Sequence, residues 1–276
     1  SYSNEYPVMG LRFSDYSLTN PTDGSQWFEN FTGKFKQYTS TTTVIPWADV
    51  QKAGLLLHYT MENIVSTLLV DETGNLNGVI TGATQVPTIL GNSLRFREPV
   101  AADHVRVDTT EMDIVSISLK FIPNTAYQGW RGLIGLSDNT VGNTNRVILM
   151  ADCNDLTHKL RLYDLNTKSP LVADAPWVAG TTYSVLLEFD GVNTVMYINN
   201  IKQLGFIATN VFKRFPIKTV IVGSYSYDNN AALSCGCDID EVRIYNRRLT
   251  ADERDSIHTV TAKPDYEVVE DAVIDL

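Results

Sequence analysis

Apolar and polar residues alternate in short runs along most of the chain between residues 53 and 249. The clearest run is 115–121, where period 2 places Val115, Ile117, Leu119 and Phe121 on one face of a strand. A second run, Tyr183–Phe189, is followed by the turn sequence Asp190-Gly191-Val192-Asn193, which predicts a hairpin into a strand over Val195–Ile198. Further strands are predicted over Leu55–Met61, Asn92–Arg97, Val105–Asp108, Gly132–Ser137, Val147–Ala151, Leu160–Asp164, Val220–Ser224 and Ile239–Tyr245. Short strands at this spacing favour an antiparallel sandwich or barrel.

One helix is predicted, near 250–259, at the C-terminal end of this region. Thr250 and Glu253 form a capping box, in which each side chain reaches the other residue's backbone amide. Pro264 then ends the ordered core. Residues 261–276 form an acidic tail, with five acidic residues against one lysine between 263 and 276. This tail is either a solvated segment or a strand that pairs with a neighbouring subunit.

Residues 1–52 form an aromatic-rich arm. They hold ten of the 27 aromatic residues of the chain, with no helical period. An isolated segment of this kind leaves its rings in water unless it docks on its own domain or on another chain. We therefore expect the arm to serve attachment or oligomerisation, and we predict a homo-oligomer.

Composition and charge narrow the function classes. The hydrophobic fraction of 43% excludes a disordered chain, and a net charge of −10 argues against nucleic acid as the main partner. No apolar run approaches the roughly 18 residues of a membrane-spanning helix, so we expect no membrane insertion. The first residues lack a signal peptide, so either one was removed or synthesis is cytoplasmic. Three buried thiols are expected, the alternative being that Cys153 pairs with Cys235 or Cys237.

Three motifs, in order along the chain, resemble those of one family. Gly236–Glu253 closely resembles the closing strand and turn of laminin-G-like jelly rolls, members of the concanavalin A-like lectin/glucanase superfamily. Leu55–Glu62, Asp71–Gly78 and Gly91–Phe96 look like the family's opening strand, glycine-asparagine turn and third strand, and Phe189–Asn200 looks like its late hairpin. The resemblance covers residues 53–260 and implies an all-β, two-sheet antiparallel jelly-roll sandwich. It says less about function, because the fold hosts lectins, protein-binding modules, glycosidases and domains that only pack.

Glycosidases of this superfamily carry a row of acidic residues on one strand. Here Asp238 and Asp240 share a face, but Val242 and Arg243 stand where a second catalytic carboxylate would be. We therefore predict that the protein is not an enzyme, and that these acids brace a turn or pair with Arg243 or Arg247.

Candidate metal ligands occur in three oxygen-rich turns. The four histidines are scattered, and Cys235-Gly236-Cys237 has no second pair, so no zinc site is predicted. Calcium is the candidate metal, because many laminin-G-like and lectin relatives bind it. Loops can supply the six to eight oxygen ligands that it needs. The turns are Asp71, Asn75 and Asn77; Asp152, Asn154 and Asp155; and Asp228, Asn229 and Asn230. The alternative is that Asp and Asn stand there for local turn geometry.

A sugar site needs an exposed aromatic ring beside polar groups. The candidates are Trp130 and Trp177 in loops, and Tyr225 and Tyr227 beside Asn229. The alternative for Trp130 and Trp177 is that they cap the ends of the core.

Two functional hypotheses follow. The first is a non-enzymatic structural or adhesion protein of a virion, such as a phage fibre, decoration or tail component on the virion surface. Its arm would attach to other subunits and its jelly roll would bind host-surface glycan or protein. The second is a secreted or cell-surface bacterial glycan-binding module.

Overall fold

The computed structural model describes residues 26–29, 34–37, 53–97, 102–124, 130–140, 145–153, 158–164, 171–205, 209–227 and 230–259. Only the backbone is described at 26–29, 34–37, 130, 152–153, 225–227, 230–233 and 259. The chain divides into two compact units, one of Ser1–Pro46 with Pro264–Leu276 and one of Trp47–Lys263. In the first unit, β1 (Gln26–Glu29) pairs antiparallel with β2 (Lys34–Gln37).

The second unit is built almost entirely of strands. They are β3 (Leu55–Tyr59), β4 (Ile64–Val65), β5 (Leu68–Leu69), β6 (Gly78–Thr81), β7 (Thr84–Thr88), β8 (Gly91–Arg95), β9 (His104–Met112), β10 (Ser116–Pro123), β11 (Trp130–Ser137), β12 (Arg146–Cys153), β13 (Lys159–Asp164), β14 (Leu171–Pro176), β15 (Tyr183–Phe189), β16 (Thr194–Ile198), β17 (Ile201–Lys202), β18 (Ile217–Val222), β19 (Ser224–Tyr227), β20 (Asn230–Ser234) and β21 (Cys237–Tyr245). A 3-10 helix spans Val211–Lys213, and α1 spans Ala251–Thr259.

Two antiparallel sheets form a sandwich, which confirms the predicted all-β fold. One sheet has nine strands in the order β14-β13-β12-β11-β18-β9-β6-β5-β4. The other has eight, in the order β17-β16-β15-β10-β21-β8-β7, with β3 also paired to β21. The β19–β20 hairpin forms a separate two-stranded sheet.

The hydrophobic core contains the residues that the alternation places inside. Ile117, Leu119 and Phe121 of β10 are at most 2% exposed and join the core cluster. Val115 was predicted to lie with them, but it precedes β10 and is half-buried, while Ile114 is fully buried instead. The strand therefore begins one residue later than its apolar pattern.

The outer face of the eight-stranded sheet is also buried along the central strands β10, β15 and β21, where simple alternation predicts a solvent-exposed face. Part of the reason is α1, which contributes Ile257 to a second cluster with Leu186 and Tyr245. The predicted capping box is present, because Glu253 N donates to Thr250 Oγ1 at 3.2 Å and Thr250 N donates to Glu253 Oε2 at 2.6 Å.

Cys235 and Cys237 are buried free thiols, as expected. Burial raises the pKa of the Cys235 thiol. The side chain of Cys153 lies outside the described residues.

Candidate ligand-binding cleft

A cleft of about 380 Å³ opens where β8 and β10 end and β21 begins. Its lining residues are Arg95, Phe96, Arg97, Asn124 and Gly236. Pockets that bind small molecules span roughly 300–1,000 Å³, and the volume of this cleft falls within that range.

The alternation of β8 and the two residues after it produces this lining. Leu94 and Phe96 are fully buried in the core, so Arg95 and Arg97 lie on the opposite face. Residues two apart on an extended chain have Cα atoms about 6.6 Å apart and point the same way. The two arginines thus reach the same space.

A buried carboxylate holds each guanidinium in a fixed orientation. Arg95 donates from Nε and Nη2 to the two oxygens of Asp238, each at 2.8 Å. Arg97 donates from Nε to Asp103 Oδ2 at 2.8 Å and from Nη2 to Oδ1 at 2.7 Å. Bidentate pairs of this kind fix the plane of the guanidinium as well as its position.

The surroundings of the two carboxylates strengthen these pairs. Asp238 lies opposite Arg95 across the β8–β21 pairing and also accepts from Asn124 Nδ2 at 3.0 Å. The backbone N of Asp103 donates to Ser234 Oγ at 2.8 Å, where the β19–β20 hairpin ends. The Arg97 side chain holds the pKa of Asp103 below its usual range, mainly through its hydrogen bonds.

The pairs present their positive ends to solvent. The Arg95 and Arg97 side chains are 47% and 60% exposed, while those of Asp238 and Asp103 are only 4% and 2% exposed. A guanidinium has five N–H donors, and each of these forks uses two side-chain donors. Among the described residues the remaining donors have no partner, which leaves them for a ligand in the cleft.

Phe96 lies under the cleft with its ring in the core, and Gly223 leaves room for that ring. A Cβ at Gly223 would lie closer than 3.0 Å to three ring atoms of Phe96, and the φ of Gly223 is +81°. The amide of Phe96 donates to the Cys237 carbonyl at 3.0 Å, and that of Asn124 donates to the Gly236 carbonyl at 3.0 Å. Backbone hydrogen bonds therefore tie these lining residues together.

Among the predicted sugar-stacking residues, Trp177 is described in full and lies in the core. It is 4% exposed and its indole N–H donates to the Ala151 carbonyl. The Arg131 guanidinium lies 5.8 Å from the ring centre, and the His158 ring lies 4.8 Å away. This geometry matches the packing alternative, and a sugar would reach the ring only after it was uncovered.

The other predicted sugar-binding residues lie partly or wholly outside the described residues. Trp130 begins β11, and Tyr225 and Tyr227 belong to β19, but their side chains are not described. Asn229 lies outside the described residues.

The Asp71 turn has the hydrogen bonding of a local turn. Asp71 Oδ1 accepts from the amides of His58 and Thr73 at 2.8 and 3.1 Å, and Oδ2 accepts from the Leu76 amide at 3.0 Å. Asn77 Oδ1 in turn accepts from the Asp71 amide at 3.0 Å. Since these donors already occupy the carboxylate, the alternative of local turn geometry accounts for this turn.

The remaining calcium candidates stay predictions. Asn154, Asp155 and Asp228 lie outside the described residues, and only the backbone of Asp152 is described, in β12. Across the part of the chain that the structure describes, no group of three or more His, Cys, Asp and Glu side chains is arranged to hold a metal ion.

The acids of β21 have structural partners, as predicted, although one partner differs. Glu241 pairs with Arg243 at 2.8 Å and with His58 at 3.0 Å. Asp238, expected to pair with Arg243 or Arg247, pairs with Arg95 instead. The reason is the antiparallel register, which sets Asp238 directly opposite Arg95.

The sequence reasoning did not identify Arg95, Arg97 and Asn124. The available signal was two arginines at positions i and i+2 on the polar face of a predicted strand that ends in a turn.

Within the described ranges, no helix is long and apolar enough to cross a membrane.

No protein-family model and no curated protein matches the chain. Solved structures do match. Trypanosoma rangeli sialidase in complex with 2,3-difluoro-KDN is 14% identical at a TM-score of 0.54, over 85% of this chain and 44% of that one. Domain 4 of a GH43 extracellular arabinanase from Geobacillus stearothermophilus, in complex with arabinotriose, is 18% identical at a TM-score of 0.56, over 76% of this chain and 100% of that one.

The chain thus spans less than half the length of the sialidase chain and the full length of the arabinanase domain. At these identities the likeness concerns the fold alone. Together with the two packed antiparallel sheets, it shows that this chain has an antiparallel β-sandwich fold.

Proposed function

We propose that the chain is a non-catalytic glycan-binding module and that a sugar binds in the cleft between Arg95, Arg97 and Asn124. The observation that carries this proposal is the pair of guanidinium groups held rigidly by buried carboxylates, with their remaining donors exposed in one cleft. Sugar hydroxyls accept such donors, and a rigid site loses little conformational freedom on binding. Asn124 adds an amide oxygen that accepts from a hydroxyl.

The likeness to other sandwiches supports the choice of ligand class. The arabinanase domain is in complex with arabinotriose, and the match covers all of that domain. A sandwich of this architecture therefore accommodates a sugar in another protein, although the two chains share only 18% of their residues.

The absence of catalysis is part of the proposal. Glycoside hydrolysis uses two carboxyl groups that flank the scissile bond. Asp238 and Asp240 are 3% and 0% exposed, and Asp238 accepts three hydrogen bonds from Arg95 and Asn124. An acid that is buried and paired in this way is poorly placed to protonate a leaving group or attack a sugar.

We also propose that the sandwich is of the laminin-G-like kind, on the strength of the closing motif. The motif forms β21, which occupies the middle of the eight-stranded sheet and leads into α1. The strands on either side of β21 are joined only through their pairing with it. We therefore expect a distinctive sequence in β21 to be characteristic of the fold.

The wider role that we propose is adhesion at a surface, either of a virion or of a cell, with residues 1–52 attaching the module to other subunits. Its test is light scattering after size-exclusion chromatography, with the full chain and with residues 1–52 deleted. A truncated protein that stays folded and becomes monomeric supports the role of the arm. If the truncated protein unfolds, the arm belongs to the domain instead.

The test of glycan binding uses a glycan array with the full chain, followed by titration of the best ligand against two asparagine variants. Asn124→Ala removes an exposed amide that donates to Asp238, and Asn63→Ala removes one that donates to Glu72 outside the cleft. We expect Asn124→Ala to weaken binding about fivefold, the equivalent of about 1 kcal/mol for one hydrogen bond, and Asn63→Ala to leave it unchanged. An array without any bound glycan, or equal binding by both variants, contradicts the proposal.

A further inference from the structure

Among the described residues that line the cleft, two are cations and none is acidic. Arg95 and Arg97 contribute exposed guanidinium groups, and the other lining residues, Phe96, Asn124 and Gly236, are uncharged. This local charge contrasts with the net charge of −10 for the whole chain. The cleft therefore exposes cationic groups in an acidic protein, while the two carboxylates that neutralise them are buried.

Both arginines keep side-chain donors beyond those engaged in the two forks. Each side-chain fork engages Nε and Nη2, so Nη1 with its two N–H groups has no partner among the described residues. The paired carboxylates of Asp238 and Asp103 lie behind the guanidinium groups and are almost completely buried. Each pair is thus a dipole whose positive end faces the cleft, and an anion placed there meets the cation first.

From this arrangement we infer that the cleft selects acidic glycans, and that Arg95 and Arg97 together bind the oxyanion of a carboxylated or sulfated sugar. The inference rests on the proposed glycan-binding function and names the class of sugar. Both arginines line the same cleft, so a ligand bound there can meet both guanidinium groups. Hydrogen bonds from a guanidinium to an oxyanion are roughly twice as strong as those to a neutral acceptor, so an acidic sugar gains more here than a neutral one.

Asn124 completes the site by contacting the neutral part of the sugar. Its Nδ2 donates to Asp238, which leaves its side-chain oxygen free to accept from a ring hydroxyl. Phe96, which lies between the two arginines in sequence, is fully buried with its ring on the core side. The anion and the ring would then be held by different groups.

The experiment is isothermal titration of the full chain with matched pairs of acidic and neutral ligands. The pairs are sialyllactose and lactose, trigalacturonate and its methyl ester, and a sulfated galactose and galactose. We expect the acidic member of at least one pair to bind about 10- to 100-fold more tightly than its neutral partner, and added salt to reduce the difference. The pair that responds distinguishes a sialic acid, a hexuronic acid and a sulfate ester as the source of the oxyanion.

Two matched double variants locate the preference. Arg97→Gln with Asp103→Asn removes one cation of the cleft together with its buried partner, so no charge is left unpaired. Arg106→Gln with Asp108→Asn makes the same changes in the Arg106–Asp108 pair of β9, in the other sheet. We expect the first variant to lose the acidic preference and the second to keep it. If the first variant does not fold, Arg97→Lys keeps the charge, loses the fork and is expected to weaken acidic binding about 3- to 10-fold.

The outcomes separate the two proposals. Equal binding of acidic and neutral members overturns the inference and leaves glycan binding intact. If neither these ligands nor any array glycan binds, both proposals fail. An acidic preference that survives in the Arg97 variants places the oxyanion elsewhere and overturns the assignment to this cleft.

Discussion

Gly223 and Gly74 provide a matched pair of substitutions that tests the packing below the cleft. Both glycines have a φ of +81°, a conformation that L-amino acids adopt only with strain. A Cβ at Gly223 would lie within 3.0 Å of the Phe96 ring, whereas a Cβ at Gly74 meets nothing within 4 Å. Gly74→Ala therefore measures the conformational effect alone, and Gly223→Ala measures this effect together with the clash.

The expected magnitudes follow from these two contributions. The left-handed conformation costs an alanine about 1–2 kcal/mol, and overpacking a core costs about 1–3 kcal/mol. We expect Gly74→Ala to lower the free energy of unfolding by about 1 kcal/mol and Gly223→Ala to lower it by about 2–4 kcal/mol. Because Phe96 is fully buried and must move, Gly223→Ala is also expected to weaken ligand binding in the cleft.

The assay is urea unfolding followed by tryptophan fluorescence, with both variants and with Phe96→Leu in each background. Leucine removes ring atoms that the new Cβ would meet, so Phe96→Leu should cost less in the Gly223→Ala background than in the original chain. The reasoning is refuted if the two alanine variants differ by less than about 0.5 kcal/mol, or if Phe96→Leu costs the same in both backgrounds.

Three further predictions concern α1. His258 is 9% exposed, and burial lowers its pKa from 6.5 to about 4. Because the unfolded chain then binds a proton more readily than the folded one, the free energy of unfolding should fall by at most about 3 kcal/mol as the pH drops from 6.5 to 4. Unfolding of His258→Phe should show a smaller dependence on pH in that window, and an identical dependence would contradict this. Thr250→Ala removes the hydroxyl of the capping box and should cost about 1 kcal/mol in thermal or urea unfolding, with no loss expected for Thr250→Ser. Hydrogen bonds from Arg247 lower the pKa of Glu253 to about 2. The stability that this pair contributes is therefore present above pH 4.5 and is lost as the pH falls through about 2. Arg247→Gln should abolish this acid-dependent loss of stability.

The sequence allowed the fold to be predicted well where a local signal was complete. β15 has the predicted bounds Tyr183–Phe189, because clean alternation ends at a turn in which Asp190 Oδ1 accepts from the amides of Val192 and Asn193 at 2.9 and 2.7 Å. Short elements escaped prediction. β4 and β5 have two residues each, and β7 contains Pro87, so none carries a recognisable period.

The cleft could not be predicted because its parts are distant in sequence. Arg95 and Asp238 are 143 residues apart, and only the register of β8 against β21 brings them together. The turn at Asp71 illustrates another limit. Its run of Asp and Asn suits calcium and a local turn equally well, and only the direction of its hydrogen bonds distinguishes the two.

The position of β21 has a consequence for how the chain folds. This strand pairs with β10, β8 and β3, yet it is the last of the described strands in sequence. During synthesis, β10, β8 and β3 are complete well before residues 237–245 exist, so their backbone edges stay open until the strand between them arrives. Pairings at such long sequence separation form slowly, and open edges invite association with other chains. We therefore expect refolding to be slow and prone to aggregation at high protein concentration, with both properties governed by the docking of β21.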